Sequence, residues 1–132
     1  MSSEARERLL HEMFGEQPWY AVRCVFRATG NPPWCPLNLA ADESAYEERI
    51  TLWRAASFEE AVERAEDEAR DYAHSIDGDS LEYTGFAQAF HLFEDPADGA
   101  EVFSLIRRSA LEPDAYVDRF FDTGAECQHD FD

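Results

Sequence analysis

The chain contains no lysine. Its 11 basic residues are all arginine, they stand against 29 aspartates and glutamates, and the formal net charge is −18 over 132 residues. Without lysine there is no phosphate-loop lysine and no Schiff-base nucleophile. The shortage of positive charge argues against a nucleic-acid backbone as partner, which needs clustered cations, and equally against an anionic membrane surface. Cysteine is scarce too: Cys24, Cys35 and Cys127 are odd in number and widely spaced, unlike a disulfide framework. No apolar run approaches a membrane span. The opening residues MSSEARERLLHEMFGE are charged and lack the apolar stretch of a signal peptide, so a cytoplasmic location is expected.

Metal and cofactor signatures are missing as well. No C-x-x-C pair or H-E-x-x-H spacing occurs, and a meeting of Cys35, Cys127 and His129 has no motif behind it. Asp77-Gly78-Asp79-Ser80 opens like a calcium loop but lacks its length and its closing bidentate glutamate. No metal and no cofactor are expected.

Hydrophobic residues make up 45% and aromatics 14%, which is a folding composition despite the charge. The length fits one domain over residues 1–132, with a core that needs no staples. Ala5, Leu9 and Met13, flanked by Leu10 and Phe14, recur at helical spacing and predict an N-terminal helix within residues 1–16 ending at Gly15. Residues 19–27, WYAVRCVFR, alternate as a strand, with Tyr20, Val22, Cys24 and Phe26 suited to the core. A second strand is expected over about residues 46–55, with Ile50 and Leu52 inward and Glu47, Arg49, Thr51 and Trp53 on the other face. Between the two strands lies a long loop, residues 28–45, stiffened by Pro32, Pro33 and Pro36 around Trp34.

Ser57 and Glu60 form a capping box that opens the clearest helix of the chain. Phe58, Ala61, Ala65, Ala69, Tyr72 and Ala73 lie on its apolar stripe, and the alanines let it approach a sheet closely. A third strand is expected within residues 83–93, with Phe86, Phe90 and Leu92 alternating. A hairpin turn at 95–99 then leads to a fourth strand at 101–107, EVFSLIR. Pro113 suits the first turn of a last helix, with Tyr116, Val117, Phe120 and Phe121 on its buried side and Gly124 at its end. Residues 125–132 read as an acidic tail. The expected fold is α+β, in the order α-β-β-α-β-β-α, with a four-stranded, mainly antiparallel sheet and a helix packed on one face.

The segments WYAVRCVFR, YEERITLWRAASFEEAVERAE, GFAQAFHLFEDP and GAEVFSLIRRSALEPDAYVDRFFDTG resemble a bacterial family of short proteins, common in actinobacteria and catalogued only as a domain of unknown function, DUF4288. The likeness spans roughly residues 19–124, with the N-terminal helix and the GNPPWCPLN loop as departures. It implies a single soluble intracellular domain and brings no activity and no catalytic residues.

Three kinds of candidate surface emerge. If the first two strands are hairpin neighbours, Arg23, Arg27 and Arg49 share a face with Trp19 and Trp53, an arrangement suited to carboxylate or phosphate groups. Pairing with nearby acids such as Glu47, or burial of the face in a homodimer, would occupy the same arginines. His91, within the third strand, is a further candidate for that face. Trp34, on the proline-rich loop, is either a partner anchor or a cap on the core. Glu59, Glu63, Glu66 and Asp67 on the outer side of the long helix offer a negative surface to a basic protein, although solubility or adaptation to high salt would explain the same acids. The sequence therefore points away from an enzyme and toward a protein-interaction module, inhibitor-like or immunity-like toward a basic partner. A small anionic-ligand or enzymatic site and a homodimeric structural subunit, both using the arginine and tryptophan face, are the alternatives.

Overall fold

A computed structural model of the protein describes residues 2–14, 17–28, 38–75 and 81–128. Helix α1 (Ser3–Phe14) leads into strand β1 (Trp19–Ala28). Strand β2 (Ala45–Arg54), helix α2 (Phe58–Ser75), strand β3 (Leu81–His91) and helix α3 (Pro113–Phe120) follow in that order. The three strands form one antiparallel sheet in the order β2-β1-β3, so β1 is central and β2 and β3 are its edges. Among the described residues, no helix is long and apolar enough to cross a membrane.

The α+β class and the antiparallel sheet agree with the sequence; the strand count and the element order do not. Residues 101–110 join no ladder, and the sheet has three strands among the described residues. The reason lies in how β3 ends. Pro96 and the turn at Asp98–Gly99, where Gly99 takes φ +83°, swing the chain out of the sheet plane. Phe103 then lands on a face of the sheet, its ring 5.8 Å from that of Phe90, instead of continuing along the edge of β3.

Helix α2 starts where the capping box places it. Ser57 Oγ accepts the Glu60 amide at 3.1 Å, and the Glu60 carboxylate reaches back to the Ala56 amide at 3.1 Å, one residue beyond the cap. Ala61, Ala65, Ala69 and Ala73 are all buried, one per turn, and their small side chains let the helix lie across all three strands. Tyr20, Val22, Cys24 and Phe26 point up into this layer, with Leu81 and Ala28 beside them. Phe26 is fully buried, with Tyr72 of α2 at 5.2 Å and Tyr83 of β3 at 5.6 Å. Leu39, from the loop between β1 and β2, packs against the same cluster.

One irregularity interrupts the sheet. The β1–β3 register shifts between Cys24 and Phe26, and Gly85 sits opposite with φ +89°, a backbone that L side chains avoid. Thr84 Oγ1 donates to the Val25 carbonyl at 2.8 Å across the bulge.

Strand β2 faces the opposite way from the sequence expectation. Its pairing sets Arg23 opposite Ile50 and Ala21 opposite Leu52, and cross-strand partners share a face. Ile50 and Leu52 therefore lie on the side away from α2, while Glu47, Arg49, Thr51 and Trp53 lie beneath the helix. The apolar pair Ile50 and Leu52 on one face suggested the opposite orientation. Long amphipathic side chains settled it, because Arg and Trp cover apolar surface with their bodies while their polar ends find partners.

Candidate functional site

The sheet has one face covered by α2 and one face left open, and the sites expected from sequence are split between them. Beneath α2, Arg49 Nη1 donates to Glu68 Oε2 at 2.7 Å and its guanidinium stacks on the Tyr72 ring, 3.9 Å from the centroid. Burial, then the hydrogen bond with Glu47, pushes the Tyr72 hydroxyl up to about 12. Trp53 donates to Thr51 Oγ1 at 2.6 Å and lies under the Arg64 guanidinium, which also reaches the Arg54 carbonyl. These contacts tie α2 to β2.

Toward β3, Tyr83 donates to Glu66 Oε2 at 2.6 Å, and burial followed by that bond raises the Tyr83 hydroxyl well above its ordinary range. Cys24 is buried and burial raises its thiol, so it lacks the thiolate that nucleophilic or metal chemistry requires. Glu66, Arg70, His74 and Tyr83 line an open groove of about 520 Å³ between α2 and β3. Its most polar residues are already engaged: Glu66 with Tyr83, and Arg70 with Asp67 at 2.8 Å. Among the described residues no group of histidine, cysteine and carboxylate side chains could hold a metal ion.

His91 also lies on the helix side, opposite Tyr20, with its ring 5.4 Å from Tyr20 and 6.0 Å from Phe93. Burial, and then the Arg6 charge, lowers its pKa from the ordinary 6.5. It does not join the arginines of the open face.

The open face carries Trp19, Arg23 and Arg27 from β1. Arg23 pairs with Glu48 at 3.3 Å and donates to Gln88, and Arg27 pairs with Glu82 at 2.7 Å. Arg54 stacks over Trp19, 5.2 Å from the ring centroid. Thus Trp19, Arg23 and Arg27 share a face, whereas Arg49, Trp53 and His91 occupy the opposite one. Trp34 and Cys35 lie outside the described residues, as do Asp77-Gly78-Asp79-Ser80 and His129. Of the acids on α2, Glu59 and Glu63 are exposed, while Glu66 and Asp67 already hold Tyr83 and Arg70.

Between the arginine pairs the open face is apolar and wet. Ile50, Leu52 and Phe86 are each 40–51% exposed. Phe103 covers part of it, against Phe90 and with its ring under Arg23 at 5.1 Å. Beyond Phe103 the chain forms an arm that packs on no strand or helix among the described residues. Ile106 is 94% exposed, Phe121 is 60% exposed and α3 buries no residue. Among the described residues α3 packs on no strand and no other helix; of the residues expected on a buried side, Val117, Phe120 and Phe121 are exposed and Tyr116 is half-buried. The arm's internal contacts are local, chiefly Arg107 stacked on Phe120 at 4.9 Å and Tyr116 against Phe120 at 4.7 Å. The sequence reading missed this surface because it placed residues 101–107 in the sheet and Ile50 and Leu52 in the core. The signal available was an excess of apolar positions over what one small helix-covered face can bury.

Residues 19–104 match a family described as a domain of unknown function, DUF4288. The chain belongs to that family. The DUF4288 match runs from the first residue of β1 to just past Phe103, where the chain leaves its own sheet. It stops short of the C-terminal segment around α3 that the sequence resemblance had included. No curated protein and no solved structure matches the chain.

Proposed function

We propose that this DUF4288 protein is a non-enzymatic protein-interaction module that works in the cytoplasm and binds through the open face of its sheet and the arm that follows. The observation that carries the reading is the number of exposed apolar side chains: Ile50, Leu52 and Phe86 on the open face, and Ile106 and Phe121 on the arm. Monomers rarely leave contiguous apolar surface of this kind in water, and where they do it marks an interface. The buried free thiol of Cys24 is in keeping with a reducing compartment. The ligand-site alternative is weakened by Glu48 and Glu82, which already neutralise Arg23 and Arg27.

The outer side of α2 supports a second reading, because Glu59 and Glu63 face solvent and would meet a basic partner, as an inhibitor or immunity protein does. Photo-crosslinking separates the two. A photoreactive phenylalanine analogue placed at Phe86, Ile106 or Glu63 in the native host is expected to trap protein from the first two positions and little from the third. Adducts from Glu63 alone would transfer the interface to α2, and adducts from none of the three would reject an interaction module.

A further inference from the structure

We infer that the occupant of the open face is a second copy of this chain, held by mutual exchange of arms: residues 104–121 of each copy lie on the open sheet face of the other. This rests on the interaction reading above and names its partner.

Supply and demand within one chain form the first argument. Among the described residues the chain already buries Ala21 and Leu92 and sets Phe103 against Phe90 and Arg23 at one end of this face, but it leaves Ile50, Leu52 and Phe86 exposed there and, beyond Phe103, an exposed apolar arm. A twofold exchange satisfies both deficits at once, in the self-complementary manner of an isologous dimer. Helix α3 supplies the second argument. An eight-residue helix without tertiary packing is marginal in water, since nucleation is unfavourable and short helices owe their stability to a buried face. A constant companion is needed, and a second copy is present wherever the first is.

Charge decides where two such chains could meet. Two molecules of net charge −18 repel over most of their surfaces, and most strongly at the acidic outer side of α2. The open face is the exception: Arg23, Arg27 and Arg54 stand there against Glu48 and Glu82. The arm is balanced as well, with Arg107, Arg108 and Arg119 against Glu112, Asp114 and Asp118. Contact through these surfaces leaves both α2 helices on the outside.

Light scattering on the full chain tests the inference. Wild type should show the mass of two chains, and raising salt should tighten the dimer, because salt screens the repulsion between like charges while leaving the apolar contact. Ile106→Asp in the arm and Ile50→Asp in the face should each weaken self-association at least about tenfold, the loss of burying one aliphatic side chain. Both positions are solvent-exposed within one chain, so circular dichroism should report an intact sheet and α2, with no loss beyond the helicity of α3. Mixing the two variants is the discriminating step. One intact arm then meets one intact face, so the mixed pair holds one unbroken seat of two where either variant alone holds none, and the mixture should associate more tightly than either variant by itself.

A mixture that associates no more tightly than either variant alone would overturn the exchange, and so would a wild type of single-chain mass at every salt concentration. If the wild type is monomeric while Ile106 still crosslinks to a different protein, self-exchange fails and the broader interaction reading stands. A dimer that weakens as salt rises would place the contact on charged surface and reject this geometry.

Discussion

The two faces of the sheet are built from the same three strands, yet they solve opposite problems. Beneath α2, four alanines set one per turn bring the helix close, aromatic rings fill the gap, and the long polar side chains at the margin end on partners, as Arg49 does on Glu68 and Tyr83 on Glu66. The opposite face has arginines paired with strand-borne glutamates, but Ile50, Leu52 and Phe86 on it, and Ile106 and Phe121 on the arm that follows, stay exposed. One face therefore holds the fold, and the other is available to something outside the chain. The lesson is that ion pairing alone does not close a surface. Glu48 and Glu82 neutralise the open face without covering it.

The sharpest way to break this comparison is to delete one aromatic ring on each side. Phe26→Ala removes a fully buried side chain from between Tyr72 and Tyr83 and should cost about 3–5 kcal/mol of folding stability. Phe121→Ala should change the folding free energy by less than about 0.5 kcal/mol when measured at concentrations where the chain is monomeric. Urea denaturation of both variants measures the contrast. Equal losses would mean that the arm packs into its own chain and that the two faces are not distinct.

Legibility from sequence follows the same division. The core side of β1, the capping box at Ser57 and the alanine stripe of α2 were all readable, because each is a local pattern with one physical meaning. Strand β2 was not, since Arg49 and Trp53 can serve as core-covering residues as readily as Ile50 and Leu52. Choosing between them requires knowing that Glu68 and Tyr72 lie above. The segment EVFSLIR alternates like a strand and was read as one. Its alternation is real, but the turn at Gly99 sends it over the face and away from the edge of β3. Of the site, Trp19, Arg23 and Arg27 were found on one face from spacing alone. His91, Arg49 and Trp53 were displaced to the other by register, which no single strand reveals.

A smaller effect sharpens the helix-covered side. Burial and the neighbouring Arg6 lower the His91 pKa in the folded chain from 6.5, so the unfolded chain takes up the proton first. The stability contributed by the neutral imidazole is therefore full above pH 6.5 and is lost as pH falls below it toward the lowered native value. Calorimetric Tm values for wild type and His91→Phe should converge or cross as the solution is acidified through that window, with wild type falling faster. Parallel curves would mean that the imidazole is as well solvated folded as unfolded.

The central claim is that the arm finds its seat on the open face of another molecule. Amide hydrogen exchange of residues 104–111, compared between wild type and Ile50→Asp, tests it most directly, because the substitution lies on β2 and leaves the arm itself unchanged. The account predicts slow exchange along the arm in wild type at high protein concentration and fast exchange in Ile50→Asp, with the amides of β1 protected alike in both. Identical arm exchange in the two proteins would contradict it.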